Sequence, residues 1–305
     1  MAKNQTRNQH FVPRFYLKEF ATDETYGKKR KEQVYIYNKK NEDLDIRNIR
    51  KIAKEYFLYS PKDSNGNRSM YMENRLKEIE DVVSLIWKDF SNKYIDLEDY
   101  NTKKVIALFL SSLMLRHPNN LKRNENHRDF LINDIIKHNP PNNQKITFIV
   151  NGEEQEFDIS EITKEISEYE KSMLLVENID YFTNKYSEIF MEKKWSIITS
   201  EEKKFITSDN PIVISNNLTD IFGLRTKGTI ILFPISPKRL LQLEDYANNE
   251  DKKISYHPIN KGHHSLYNHI LWNSSDKHII AHENLENIIN EIYNYTREKN
   301  ANIEK

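Results

Sequence analysis

With 305 residues and 36.5 kDa the chain can bury a sizeable core, and 46 Lys+Arg against 46 Asp+Glu remove any whole-chain electrostatic argument for a polyanion partner. The absence of Cys excludes a disulfide scaffold, a thiolate zinc site, an iron–sulfur cluster and a cysteine nucleophile. An apolar share of 37% is low, but 11% aromatic residues are too many for a disordered chain, so a folded protein with a heavily solvated surface is expected. No apolar run approaches a membrane span, and the start MAKNQTRNQH lacks a signal peptide's apolar stretch. The expectation is therefore no membrane association and a cytoplasmic location.

Val34–Tyr37 and Glu55–Tyr59 are β-branched and aromatic and read as short strands, the second running into the turn-like Ser60 to Gly66. From Met70 to Tyr94 the residues Leu76, Ile79, Val83, Ile86, Trp87 and Phe90 recur at three- and four-residue steps, the stripe of a core-facing helix. A second helix runs from about Asn101 to Arg116, where Pro118 is expected to stop it, and a third covers roughly Asn126 to His138. Lys145–Val150 and Glu153–Phe157 flank Asn151-Gly152, a type I′ turn dipeptide, and read as an inserted β-hairpin. Ser160 is the expected N-cap of a long helix reaching about Lys194.

Trp195–Thr199, Phe205–Ser208, Pro211–Ser215, Thr229–Pro234 and Arg239–Leu243 are short and β-branched, and they predict a sheet. Helices from about Lys261 to Trp272 and Glu283 to Glu298 complete the chain. Strands grouped with strands and helices with helices predict an α+β fold: a mixed or antiparallel sheet packed with a helical layer, long central helices and one inserted hairpin. Only 6 Gly and 9 Pro leave no recognisable linker, so residues 1–305 are expected to form one intertwined domain, helical over about 69–194 and β-rich over about 195–280.

Charge is uneven along this neutral chain. Residues 1–54 hold 14 Lys/Arg against 7 Asp/Glu, a net of +7, while residues 153–170 hold 8 Asp/Glu against one Lys. Six of ten histidines fall between His257 and His282, and the order His263-His264, Asn273, His282 is loosely that of a ββα-metal nuclease. Glu192-Lys193-Lys194 has the E-x-K order of a metal-dependent nuclease core, without an evident partner Asp. Two blocks are sharper. Gln9-His10-Phe11-Val12-Pro13-Arg14-Phe15-Tyr16-Leu17 concentrates a His, an Arg and aromatics at a terminus that is usually frayed, and Phe205 to Pro211 sets Ser208, Asp209 and Asn210 between apolar strands.

With Val34–Tyr37, Glu80, Arg116-His117-Pro118, Phe233 to Pro237 and Asn268, these blocks resemble an uncharacterised, mainly bacterial family, domain of unknown function 4238. The family's helix-end block has Arg-Thr-Pro, so His117 departs from it. The resemblance implies that His10, Arg14, Arg116, Asp209 and Asn210 form one recurring polar set. Arg14, Arg116 and Asn210 are then the substrate-binding candidates and His10, Asp209 and Glu80 the catalytic ones, His10 moving a proton near neutral pH and Asp209 orienting it or holding a divalent metal. The competing expectation is an Arg116–Asp209 ion pair that staples the N-terminal block to the sheet. A nuclease or other phosphate-directed enzyme with a nucleic-acid partner is the functional expectation. The alternative is a noncatalytic sensing or protein-interaction module with a protein partner, an accessory of a toxin or phage-defence system, using the acidic segment and the hairpin as its contact surface.

Overall fold

Helix α2 (Tyr71–Asn92) carries the expected stripe: Leu76, Ile79, Val83, Trp87 and Phe90 are buried while the opposite face is solvated. The computed structural model describes residues 7–97, 99–138, 145–150, 153–162, 164, 167–216, 218–246, 255–260 and 262–303. The Asn151-Gly152 turn, Lys261 and the chain start up to Thr6 lie outside the described residues. Helix α3 (Tyr100–Leu115) opens at Asp99, whose carboxylate accepts the Thr102 N–H at 2.7 Å. It buries Ile106, Ala107, Phe109, Leu110 and Leu113 against α2 and a long later helix.

Helix α3 ends just before Pro118 as expected, but two helix starts differ from expectation. Helix α4 (Pro118–His138) begins at Pro118 and not near Asn126, because the first helical position needs no N–H donor and accepts the fixed proline φ. Arg116 caps α3 in the short joint between the two. Ser160 lies inside the single turn α5 (Ile159–Ile162), and the long helix α6 (Glu168–Glu192) starts from Ser167 instead. Ser167 has what Ser160 lacks, an acidic residue three places on: Ser167 Oγ accepts the Glu170 N–H at 3.2 Å, and the Glu170 carboxylate accepts the Ser167 N–H at 2.8 Å.

The strands sort into two main sheets. One is mixed and five-stranded, in the order β12 (Ser255–Pro258), β7 (Lys194–Thr199), β11 (Arg239–Glu244), β10 (Thr229–Ser236), β9 (Val213–Asn216), with only β12 parallel to its neighbour. The other is antiparallel, in the order β3 (Asp43–Asn48), β2 (Gln33–Asn38), β13 (His278–Ala281), β8 (Thr207–Ser208). The expected single C-terminal sheet is thus divided, and β8 joins a strand from the N-terminal segment. Two ribbons complete the set, β1 (Asn8–His10) with β4 (Lys54–Tyr56), and β5 (Lys145–Val150) with β6 (Glu153–Asp158). Strand β4 ends before the expected Tyr59 because Phe57 takes a φ of 52°, which extended pairing cannot continue. With helices α7 (His263–Ser274) and α8 (Glu286–Ile303), eight α-helices among the described residues and these open sheets make an α+β fold. No described helix is long and apolar enough to cross a membrane.

The main core joins the chain start to the sheets. Helix α1 (Arg14–Leu17) buries Tyr16, whose ring stacks on Phe233 at 5.0 Å and whose hydroxyl donates to the Pro234 carbonyl at 2.8 Å. Trp87 meets Phe15, Tyr16, Phe90 and Phe109 edge-on in the same cluster. The aromatics of the opening block are therefore anchors. Trp87→Ala is expected to cost about 3–5 kcal/mol in urea unfolding, since it empties the centre of this cluster.

Candidate functional site

The β1–β4 ribbon sets the first wall of the site. Its register pairs Asn8 with Tyr56, Gln9 with Glu55 and His10 with Lys54. Gln9 turns inward, donating to Ser60 Oγ and accepting the Tyr59 N–H, both at 2.7 Å. Side chains alternate along a strand and directly paired residues share a face, so Asn8, His10, Lys54 and Tyr56 stand on the opposite, outward face. Pro13 then lets α1 begin at Arg14, which is exposed beside this face. Asn8, His10, Arg14, Arg50 and Lys54 line a cleft of about 590 Å³, closed on the far side by Glu73, Lys77, Glu80 and Asp81 of α2.

Arg116 supports the cleft from behind. It has no solvent exposure; its Nε donates to the Phe11 carbonyl at 2.9 Å and its Nη1 to Glu80 Oε1 at 2.7 Å, while its own carbonyl accepts the Tyr59 hydroxyl at 2.6 Å. Glu80 is thereby turned toward Arg116. Arg14, Arg50, Lys54 and Lys77 form no ion pair among the described residues, and with Glu80 committed to Arg116 only Glu73 and Asp81 remain to offset these four cations in the cleft.

Titration follows from this environment. Burial pushes His10 down to about 4, the Arg14 and Lys54 charges push it further, and a hydrogen bond to the Arg50 backbone opposes them. His10 is thus neutral at pH 7, which corrects the expectation of an imidazole poised near neutrality. Its Nε2 is buried without a partner, so the other ring nitrogen makes the Arg50 bond and Nε2 keeps the lone pair. Glu73 is raised by burial and by the Glu80 charge, with Arg116 opposing, so it is the carboxyl in the cleft most inclined to hold a proton.

Asp209 and Asn210 do not line this cleft. Asp209 is buried, and its carboxylate accepts the backbone N–H groups of Asp276, Lys277 and His278 at 3.0, 2.8 and 3.0 Å. Burial works to raise its pKa, but these bonds and the nearby His278 imidazole outweigh it and hold the carboxyl below its usual value. Asn210 donates to the Ser274 carbonyl at 3.1 Å. The pair seals the turn between α7 and β13, and the expected Arg116–Asp209 ion pair does not form: Glu80 is the partner of Arg116, and backbone amides are the partners of Asp209. His117, buried edge-on against Phe11, is lowered by burial and raised again by Asp209 and Asp276, so it lies on the Asp209 side of the joint.

The remaining candidates are spoken for. His264 shares a hydrogen bond with Ser200 at 2.8 Å, His269 contacts Asn273 and Thr296, and His278 lies 3.6 Å from Asp209, so the clustered histidines disperse over α7 and β13. Lys193 pairs with Asp245 at 2.6 Å and Lys194 with Glu244, which leaves no E-x-K metal core. Among the described residues no three His, Asp or Glu side chains converge as metal ligands.

A family model described as a protein of unknown function, DUF4238, matches residues 8–284. The chain belongs to that family. No curated protein and no solved structure matches it. The match begins at the ribbon residue Asn8 and runs through β13, so it includes both the cleft and the Asp209 corner. Of the residues singled out by the sequence, His10, Arg14 and Glu80 line this cleft, Arg116 lies behind it and Asp209 and Asn210 lie apart, while Arg50, Lys54, Glu73 and Lys77 line it without having been singled out. The +7 charge of residues 1–54 was the available signal for Arg50 and Lys54.

Because the folded pKa of His10 lies below 6.5, the unfolded chain binds its proton first as pH falls, and stability is lost between pH 6.5 and about 4. Thermal unfolding across that window is expected to show a steeper loss for the native chain than for His10→Gln, with a difference on the order of 2 kcal/mol at the acid end. Asp209→Asn takes the charged acceptor from three backbone N–H groups and leaves at least one of them facing an amide NH₂, and it is expected to lower stability by about 1–3 kcal/mol at pH 7, read by chemical denaturation.

Proposed function

We propose that the cleft over Arg116 is a phosphate site and that the protein is a cytoplasmic phosphate-directed enzyme of the nuclease type. The observation that carries this reading is the set of unpaired cations, Arg14, Arg50, Lys54 and Lys77, facing one concave space in a chain that is otherwise neutral. Uncompensated charge within a few ångströms of other like charge is costly, and a phosphate ester with ionised oxygens relieves it. Arginines at the rim supply paired N–H donors for two phosphate oxygens, and the lysines supply charge.

The same cleft holds the proton chemistry a phosphoester needs. Water attacks phosphorus as the bond to the leaving oxygen breaks. Glu80, held by Arg116, takes a proton from the attacking water, and Glu73 gives one to the leaving oxygen. His10, neutral, shapes the cleft floor and adds no positive charge there. Asp209 is outside this scheme. Labelled single- and double-stranded DNA and RNA, incubated with and without Mg²⁺, test the reading. Cleavage is expected to fall by about 10²-fold or more in Glu73→Gln, with the KM rising mainly in Arg14→Ala. Cleavage that is indifferent to every cleft substitution, or absent with all substrates, overturns it.

An interaction module is the second reading, and exposed apolar side chains favour it. Phe130 on α4, Ile149 on β5 and Ile221 are 64%, 76% and 90% exposed, around a largely apolar cavity of about 1570 Å³ between α4, α6 and the β5–β6 ribbon. Self-association seen by light scattering and abolished in Ile221→Asp is the outcome that supports it.

A further inference from the structure

The cleft of about 590 Å³ does not end at Arg14. A second cleft, about 360 Å³, adjoins it and shares Arg14, Arg50, Glu80 and Asp81 as lining residues. Lys18, Lys29 and Arg30 border the second cleft, and Lys54 and Lys77 border the first. The two together present seven cations and four carboxylates. Two of those carboxylates are engaged within the protein, Glu32 3.9 Å from Lys18 and Glu80 2.7 Å from Arg116, so the surplus positive charge faces outward. A single phosphate fills one lobe and leaves Lys29 and Arg30, or Lys54 and Lys77, without a counter-charge. A ligand with successive phosphates satisfies both.

A third feature lies at the end of the row. Tyr56 is opposite Asn8 in the β1–β4 register, on the face that Asn8, His10 and Lys54 turn toward the cleft, and it is 73% exposed. Its ring stacks on no other aromatic among the described residues. A large aromatic surface left in water beside a phosphate-binding strip is what a nucleobase covers, because each base offers a π-face while the backbone lies on the cations. The cations line the rims of concave clefts, all of them exposed except the half-buried Lys54. Duplexes are instead met by elements that project into their grooves, whereas a single strand bends to follow a concave path.

We propose that the two clefts form one track for single-stranded nucleic acid, with successive phosphates on either side of Arg14 and Arg50 and a base stacked on Tyr56. The proposal rests on the cleft being a phosphate site and names the ligand class of that site. The ligand class so named is a chain of phosphates bearing bases, with either sugar.

Fluorescence anisotropy of the full chain, with a chelator present, against labelled deoxythymidine and uridine oligonucleotides from dinucleotide to decamer tests this. Affinity is expected to rise steeply over the shortest lengths. Its logarithm is expected to fall with log salt by about 0.7 per phosphate held, and Lys29→Ala and Lys54→Ala each reduce that slope by one such step. Tyr56→Ala is expected to weaken oligonucleotides about tenfold, Tyr56→Phe to restore them, and neither to change competition by inorganic phosphate. The deoxythymidine and uridine arms tell the two sources apart. Inorganic polyphosphate binding as tightly as oligonucleotides, duplex preferred over single strand, or no loss in Tyr56→Ala overturns the proposal. If inorganic phosphate competes with a mononucleotide in an Arg14-dependent way but length adds nothing, the track alone is refuted. If neither phosphate nor oligonucleotide binds, the phosphate reading falls with it.

Discussion

The buried guanidinium of Arg116 organises this molecule. A group that never loses its charge and has no contact with water needs acceptors, and here two distant stretches supply them, the Phe11 carbonyl to Nε and the Glu80 carboxylate to Nη1, while Nη2 is buried without a partner among the described residues; the Arg116 carbonyl in turn accepts the Tyr59 hydroxyl. The end of α3, the start of the chain, the middle of α2 and the turn after β4 are therefore tied at one point. Removing any one acceptor strands a buried charge, which in proteins generally costs about 3–5 kcal/mol. Helix α4 starting at Pro118 keeps that joint short and rigid.

This tie also creates the charge imbalance in the neighbouring cleft. Glu80, the residue best placed to neutralise the rim, is turned back to Arg116, so Arg14, Arg50, Lys54 and Lys77 face one another without it. Other cations of the protein do find carboxylates, as Arg75 does in Asp180 at 2.8 Å and Arg225 in Glu192 at 2.9 Å. What sets the cleft apart is the gathering of several unpaired cations in one concave region, and such a local concentration of like charge marks a site of binding. The depressed His10 belongs to the same picture, because burial among cations keeps the imbalance from growing at neutral pH.

Asp209 shows the opposite use of a buried charge. Three backbone N–H groups and the adjacent His278 satisfy its carboxylate, and Asn210 ties the same corner to the end of α7. That corner holds β8 against β13, and β13 in turn pairs with β2, so the antiparallel sheet draws on both ends of the chain. The two polar blocks of the sequence are consequently different in kind. One turns outward around a cleft, and the other turns inward as a clasp.

The α+β class, the core stripe of α2 and the anchoring role of the opening aromatics were legible in the sequence, since periodicity and local propensity act over a few residues. Local chemistry also marked His10, Arg14, Arg116 and Asp209 as unusual. Their partners were not legible. Arg116 takes Glu80 over Asp209, and β8 joins β2 and β13 over the neighbouring C-terminal strands, because ion pairing and strand pairing depend on which segments the packed core brings within a few ångströms. Two helix starts were misplaced for a local reason: the Ser167–Glu170 capping box outweighed the lone hydroxyl of Ser160, and proline's tolerance at a first helical position let α4 begin at Pro118 and not near Asn126. The sequence alone thus determined the α+β class and most of the elements, because these follow from local periodicity and propensity. The tertiary structure alone decided which charges meet, because electrostatic attraction falls with distance in space and is blind to distance along the chain.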